Sequence, residues 1–108
     1  MKTNDISQEG WRTLWNCFYM SIMAGADLAK AIHEAGLAVD GYNELTDLCL
    51  ECEQLIHQGY GMSEAMSELP GFTEEQIWVI KDYEQSGHDL QVLSPLVPRI
   101  HRSAYSAV

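Results

Sequence analysis

Glycine and proline residues divide this chain into short stretches, and the apolar residues within each stretch recur at helical spacing. The most heavily interrupted stretch is GYGMSEAMSELPGF, residues 59–72, in which a seven-residue amphipathic run lies between two glycines and Pro70-Gly71. A helix of about two turns is not stable alone in water. The stretch therefore predicts a short helix that neighbouring helices hold in place, and so a packed helical domain.

The rest of the chain follows the same pattern and predicts six helices. The expected stop signals of the first five are Gly25, Gly36, Gly59, Pro70-Gly71 and Gly87. The expected N-terminal caps are Asp5 or Ser7, Asp27, Gly61 and Thr73, with Glu64 and Gln76 at capping-box positions. Because no stretch stands out as a strand and the links are short, we predict an all-α fold. Its architecture would be a compact antiparallel six-helix bundle over residues 9–105, behind a lead at residues 1–8.

The sixth helix is the least regular of these predictions. Its apolar residues at coiled-coil-like spacing are Leu90, Leu93, Val97, Ile100 and Ala104. Pro95 and Pro98 lie inside the same segment, and proline removes an amide and clashes with the preceding turn of a helix. We therefore expect a kink or a restart there, with Ser94 as the new cap.

The chain is strongly acidic, with 16 acidic residues against 6 basic ones and a net charge of −10. Nucleic acid and anionic membranes bind basic surfaces, so this charge disfavours both partners. A basic protein surface is the favoured partner. The candidate contact surface is an acidic flank along the third helix, formed by Asp40, Glu44, Asp47 and Glu51, with Glu53 beside them. The alternative is an ordinary solvated helix face.

Residues with catalytic or metal-binding chemistry form no recognised motif. Cys49 and Cys52 have CxxC spacing but fall on the apolar stripe of the third helix, so we expect buried core thiols more than a zinc or redox site. The four histidines, His33, His57, His88 and His101, lack metal-ligand spacing and are predicted on the surface. No phosphate-binding loop, dinucleotide fingerprint or GxSxG nucleophile motif occurs. We therefore predict no enzymatic activity and no cofactor.

Glu84 interrupts an apolar helix face. It follows Ile80 by four residues and Ile77 by seven, so the fifth helix turns it toward the same side. A carboxylate facing a core needs hydrogen-bond partners. We expect Glu84 to accept hydrogen bonds from backbone amides at the start of a neighbouring helix. An exposed last helical turn is the alternative, and acid–base catalysis is the least favoured role.

Three stretches carry a recognisable pattern in a fixed order: SIMAGADLAKAI at 21–32, GYGMSEAMSELPGF at 59–72 and VIKDYEQSGHDLQVL at 79–93. They resemble the AGxxLxxAL, GxSLSEAL…P…F and IxxGExSGxLxxxL stretches of the inner-membrane platform proteins of type II secretion and type IV pilus machines. The likeness covers roughly residues 11–105 of the chain. The residues that match the motifs are Gly25, Gly59, Glu64, Ala65, Pro70, Glu84, Gly87 and Leu90.

The resemblance implies a six-helix scaffold domain, often dimeric, that contacts the assembly ATPase and other inner-membrane components. It places the domain at the cytoplasmic face of the bacterial inner membrane, attached only through membrane segments that this chain lacks. The chain would be the first cytoplasmic domain of a pilus-type member. Three features depart from the pattern: Gly61 replaces the usual hydroxyl cap, Tyr83 replaces the usual glycine, and two prolines interrupt the sixth helix.

Two other functions stay open. One is a free-standing acidic helical adaptor or inhibitor that binds a basic target. The other is a metal or redox bundle that uses Cys49 and Cys52. Separately, Tyr19, Met20 and Met23 lie beside the main stripe of the first helix and predict a monomer or a weak dimer formed through apolar faces.

Overall fold

The computed structural model describes the backbone of residues 2–97 and the side chains of residues 8–97, and these residues form six helices and no strand. The helices are α1 Lys2–Met23, α2 Leu28–Ala38, α3 Asn43–His57, α4 Met62–Glu68, α5 Glu74–Gln85 and a 3₁₀ helix at Leu90–Leu96. The predicted all-α class is confirmed, and the molecule is compact. The antiparallel arrangement of the bundle stays a prediction.

The first helix begins earlier than predicted. Because α1 starts at Lys2, Asp5 and Ser7 lie inside it and neither is its cap. Its end agrees with the prediction. Gly25 has a φ of 101°, and the amide of Ala26 donates to the carbonyl of Ser21 at 3.0 Å. This is a Schellman ending, which favours glycine because a side chain strains the left-handed backbone.

The prediction that Gly36 ends α2 is wrong. The helix continues to Ala38, and Gly36 is a buried residue within it. A Cβ atom at this position would lie 2.9 Å from Cβ of Cys49, closer than packed carbon atoms approach. Gly36 therefore lets α2 come close to α3. The prediction that Asp27 caps α2 is confirmed, since its carboxylate accepts a hydrogen bond from the amide of Lys30 at 2.9 Å.

The core is built from one face of every helix. Its members include Leu14, Trp15 and Phe18 of α1, Ala31, Ile32 and Ala35 of α2, Leu45, Leu48, Cys49 and Cys52 of α3, Met62, Ala65 and Met66 of α4, Val79, Ile80 and Tyr83 of α5, and Leu93 and Leu96 of the 3₁₀ helix. The helix α1 packs mainly on α2, and α2 packs on α3. The helix α5 packs on α4 and on the 3₁₀ helix, which also contacts α1.

The buried face of α5 differs from the predicted one. Ile80 is buried, but Ile77 is only half-buried and Trp78 is 62% exposed. The helix is turned so that Gln76 and Val79 also face inward. Gln76 can be polar and buried because it belongs to a capping box. Its side chain accepts a hydrogen bond from the Thr73 amide at 3.0 Å and so has a partner at the start of the helix.

The last element is a 3₁₀ helix instead of a broken α-helix. Asp89 is its cap and accepts from the amide of Gln91 at 3.0 Å, whereas Ser94 lies inside the helix, so the predicted cap at Ser94 is wrong. Pro95 is accommodated within this element. Pro98, Ile100, Ala104 and the predicted domain end at residue 105 lie outside the described residues. None of the described helices is both long and apolar enough to cross a membrane.

Candidate functional site

The motif glycines lie at helix ends that need a left-handed residue. After α3, Gly59 has a φ of 111°, and the amide of Tyr60 donates to the carbonyl of Leu55 at 3.1 Å. After α5, Gly87 has a φ of 78°, and the amide of His88 donates to the carbonyl of Tyr83 at 3.1 Å. Together with Gly25, these glycines let three helices end sharply, as the sequence predicts.

The start of α4 has an incomplete cap of its own. Gly61 is the N-cap residue and has no side chain that could accept a hydrogen bond. Glu64 supplies the other half of a capping box, because its carboxylate accepts from the Gly61 amide at 3.1 Å. The first amides of a helix have no acceptor within the helix. Ser63 is the second residue of α4, so its amide needs a hydrogen-bond acceptor from outside the helix.

Glu84 of α5 provides that partner. Its Oε2 accepts from the Ser63 amide at 3.3 Å, and its Oε1 accepts from the Ser63 hydroxyl at 2.6 Å. The predicted contact with a neighbouring helix start is present, although one of its two donors is a hydroxyl. Glu84 was expected to lie within the apolar face of α5. It is half-buried and lies at the edge of the core instead. The arrangement is an N-terminal cap supplied by another helix.

The remaining motif residues have separate positions. Ala65 is completely buried on the inner face of α4. Pro70 is exposed and follows α4 in a turn that also contains Gly71 and Phe72. Leu90 is half-buried at the start of the 3₁₀ helix. These three residues shape the packing and the turn, and they do not meet at one site.

A cleft of about 520 Å³ brings the first and third motif stretches together. It lies between Ala26, at the link from α1 to α2, His57, at the end of α3, and His88, after α5. The His88 ring stacks on Tyr83 with centroids 5.0 Å apart, and His88 has a φ of 69°. The cleft therefore unites residues from three helix ends, but its wall carboxylate, Asp27, already caps α2.

Three of the four acidic flank residues lie along one groove. Glu44, Asp47 and Glu51 are exposed on α3 and line a groove of about 410 Å³. The groove continues over Trp11 of α1 to the turn at Pro70. Asp40 is exposed in the link before α3 and is not part of the groove. Three of the acids predicted to form a contact surface therefore share one groove.

Glu53 belongs to a different cluster from the acidic flank. Its carboxylate contacts Nδ1 of His33 at 2.8 Å and Nε2 of His57 at 3.3 Å, and it thereby links α2 to α3. Burial raises the pKa of Glu53, but the hydrogen bonds and charges of the two histidines outweigh this, so the pKa lies below its usual value. Sequence reasoning missed the cluster. The i,i+4 spacing of Glu53 and His57 was a usable signal, whereas His33 comes from another helix.

The two cysteines of the CxxC stretch are buried, as predicted. Cys49 and Cys52 have no exposed surface, and both are free thiols. Burial raises the pKa of each thiol to about 12. Such thiols stay protonated at neutral pH and are poor nucleophiles and ligands. Among the described residues, no group of three or more histidine, cysteine or acidic side chains is arranged to hold a metal ion.

Comparison with known proteins gave no match to a family model, a curated protein or a solved structure. Membership of the platform family and the function of the chain therefore stay predictions.

Proposed function

We propose that the chain is a non-enzymatic scaffold domain of an inner-membrane platform protein in type IV pilus or type II secretion assembly. The observation that supports this best is the contact between Glu84 and Ser63, which joins two of the three stretches that resemble the family. In this proposal the motif residues hold a rigid antiparallel six-helix bundle together. The outer surface of that bundle binds the assembly ATPase and other inner-membrane components at the cytoplasmic face of the membrane.

The test is binding of the purified protein to the purified assembly ATPase of the same organism, measured by surface plasmon resonance. We expect saturable binding, and an association rate that falls as ionic strength rises from low to physiological, because charge steers the encounter. An unrelated helical protein of the same net charge is the control. No binding beyond that control, to the ATPase or to the other inner-membrane assembly proteins, would reject the proposal.

The proposal includes weak homodimer formation through α1. Met20 and Met23 are 57% and 54% exposed and lie three residues apart, on one side of the helix. We expect sedimentation velocity at increasing concentration to show a weak dimer that Met20→Gln with Met23→Gln abolishes. Leu37→Gln is the control, because Leu37 is 63% exposed on α2. A monomer at every soluble concentration would remove this part of the proposal.

A free-standing acidic adaptor or inhibitor is the second candidate, and the groove on α3 favours it equally. The two candidates differ in their targets. An adaptor would bind a basic protein outside the assembly machine, whereas a platform domain binds the ATPase with or without such a protein. A competition experiment separates the two candidates: the basic protein and the assembly ATPase are added together to the immobilised domain, and the binding of each is measured.

A further inference from the structure

The groove on α3 combines an acidic wall with an apolar floor. The wall consists of Glu44, Asp47 and Glu51, which are all exposed. The floor is formed by Leu45 and Leu48, both more than nine-tenths buried, and by the half-buried Trp11. A groove of about 410 Å³ with this lining has room for side chains of another molecule.

The acidic wall lacks basic partners within the part of the chain whose side chains are described. The spacings from Glu44 to Asp47 and from Asp47 to Glu51 are three and four residues, so these carboxylates are neighbours on one helix face. Like charges at such spacings destabilise a helix. No ion pair joins any of the three to a lysine or arginine among residues 8–97. A cationic occupant would relieve this repulsion.

We propose that the groove binds an arginine-bearing segment of a basic partner protein, an inference that rests on the proposed role as a protein-binding scaffold. Arginine fits better than lysine for two reasons. Its planar guanidinium binds carboxylates through paired hydrogen bonds, which suits the row of acids along α3. It also stacks on aromatic rings, and Trp11 forms part of the groove.

The floor of the groove is packed against its neighbours, which favours binding. Trp11 packs against Phe72 and Trp15, with ring centroids 5.6 and 6.2 Å away. Gly71 has a φ of 130°, and a Cβ atom on it would lie 2.9 Å from Cδ2 of Leu48. The turn is therefore in direct contact with the floor. A site formed before binding loses less conformational freedom when it is occupied.

The test is an NMR titration of the full chain with a blocked peptide of three arginines. Peptides of three lysines and of three citrullines serve as probes of charge and shape. We expect chemical-shift changes only at residues 44–51, at the residues next to Pro70 and Gly71, and at the Trp11 indole. The lysine peptide should bind several-fold more weakly, and the neutral citrulline peptide should not bind. Equal affinity for lysine and arginine would overturn the assignment to arginine.

Two variants with the same charge change separate the groove from the overall charge. The combined change Glu44→Gln, Asp47→Asn and Glu51→Gln should weaken arginine-peptide binding about tenfold, since each exposed pair contributes a small factor. Glu9→Gln, Glu68→Gln and Asp82→Asn alter three acids that are exposed elsewhere, and this control should bind nearly as the parent does. Equal weakening by both sets would show non-specific attraction and would overturn the proposal.

Further outcomes distinguish an external partner from a segment of the chain itself. They also distinguish failure of the groove assignment from failure of the proposed function. Replacing Arg99 and Arg102 with glutamine should leave peptide binding unchanged. A tenfold gain in affinity for the arginine peptide would assign the groove to the chain's own C-terminal segment. It would overturn the proposal of an external partner. If the arginine peptide binds in the groove but the assembly ATPase does not bind at all, the proposed function fails while the groove assignment stands. If the ATPase binds equally to the parent and the groove variant, only the groove assignment fails.

Discussion

The α2–α3 pair and the α4–α5 pair depend on different contacts, although the contact of His33 with Glu53 adds a polar link to the first pair. Between α2 and α3, the absence of a side chain at Gly36 allows close packing against Cys49. Between α4 and α5, the contact at the helix end is polar, since Glu84 accepts two hydrogen bonds from Ser63. The helices also differ in length: α2 and α3 have 11 and 15 residues, whereas α4 has 7.

The difference in contacts follows from the difference in length. A longer helix satisfies most of its amides internally and buries a continuous apolar stripe. In α4, the amides of the first three of its seven residues have no acceptor within the helix, and the amide of Ala65 is the first to find one, the carbonyl of Gly61 at 2.8 Å. The carboxylates of Glu64 and Glu84 therefore matter more to α4 than any single polar contact matters to α2. Substitutions should disturb the two pairs by different mechanisms.

The largest expected effect is at the close approach of α2 and α3. Gly36→Val introduces atoms where Cβ alone would lie 2.9 Å from Cβ of Cys49. Overpacking of this kind should lower the free energy of unfolding by about 3 kcal/mol. Urea denaturation is the measurement. Gly41→Val is the control, since a Cβ at Gly41 meets no atom within 4 Å; similar losses in both variants would show that α2 and α3 do not depend on this contact.

A smaller effect is expected at the polar contact between α4 and α5. Glu84→Ala removes the acceptor of the Ser63 amide and hydroxyl and should cost about 1–2 kcal/mol, the range of an N-terminal cap. The cost is moderate because Glu84 is not fully buried, so water can replace part of the contact. Glu84→Gln keeps one acceptor oxygen and should cost less. Thermal unfolding of both variants is the measurement.

Two further variants make the Glu84 result specific. Asp82→Ala changes an exposed carboxylate of the same helix and should leave the melting temperature nearly unchanged. Ser63→Ala together with Glu84→Ala should cost less than the sum of the single changes, because they share one contact. If Glu84→Ala melts like the parent, Glu84 does not hold α4 in place.

The smallest expected effect is at Glu53, which links α2 to α3 through two histidines. Its pKa is lowered in the folded protein, so its contribution is present above the unfolded pKa of about 4.3 and is lost as the pH falls through the folded pKa. Glu53→Gln should cost about 0.5 kcal/mol at neutral pH and nothing at the acid limit. Urea unfolding from pH 7 to pH 3 measures this. Glu51→Gln is the control, and a cost at Glu53 that does not depend on pH would contradict the charge mechanism.

The parts of the fold that the sequence predicted depend on local chemistry. Gly25, Gly59 and Gly87 end helices because the backbone needs a left-handed residue there, and that requirement is readable from a glycine after an amphipathic run. The caps at Asp27 and Thr73 are equally local. The contact of Glu84 was predictable because helical spacing turns its carboxylate toward the core side of α5, where it needs donors.

The errors arise where distant residues decide the outcome. Gly36 looks like a stop in sequence, but its role is set by Cys49, which lies on another helix. The link from His33 to Glu53 is likewise invisible without the packing of α2 on α3. The groove on α3 needs Trp11 and the turn at Pro70, so the sequence alone indicated the acids but not the cavity beside them.

The reactivity of the buried thiols reports when the core becomes exposed to solvent. Cys49 and Cys52 have no exposed surface, and their pKa values of about 12 leave almost no thiolate at neutral pH. Cys17 is half-buried on α1, and burial raises its pKa as well. An alkylating reagent would therefore modify Cys17 first and would reach the other two only when α3 separates from the core. The delay between the two reactions, read by mass spectrometry, measures how often that separation occurs, without an engineered probe.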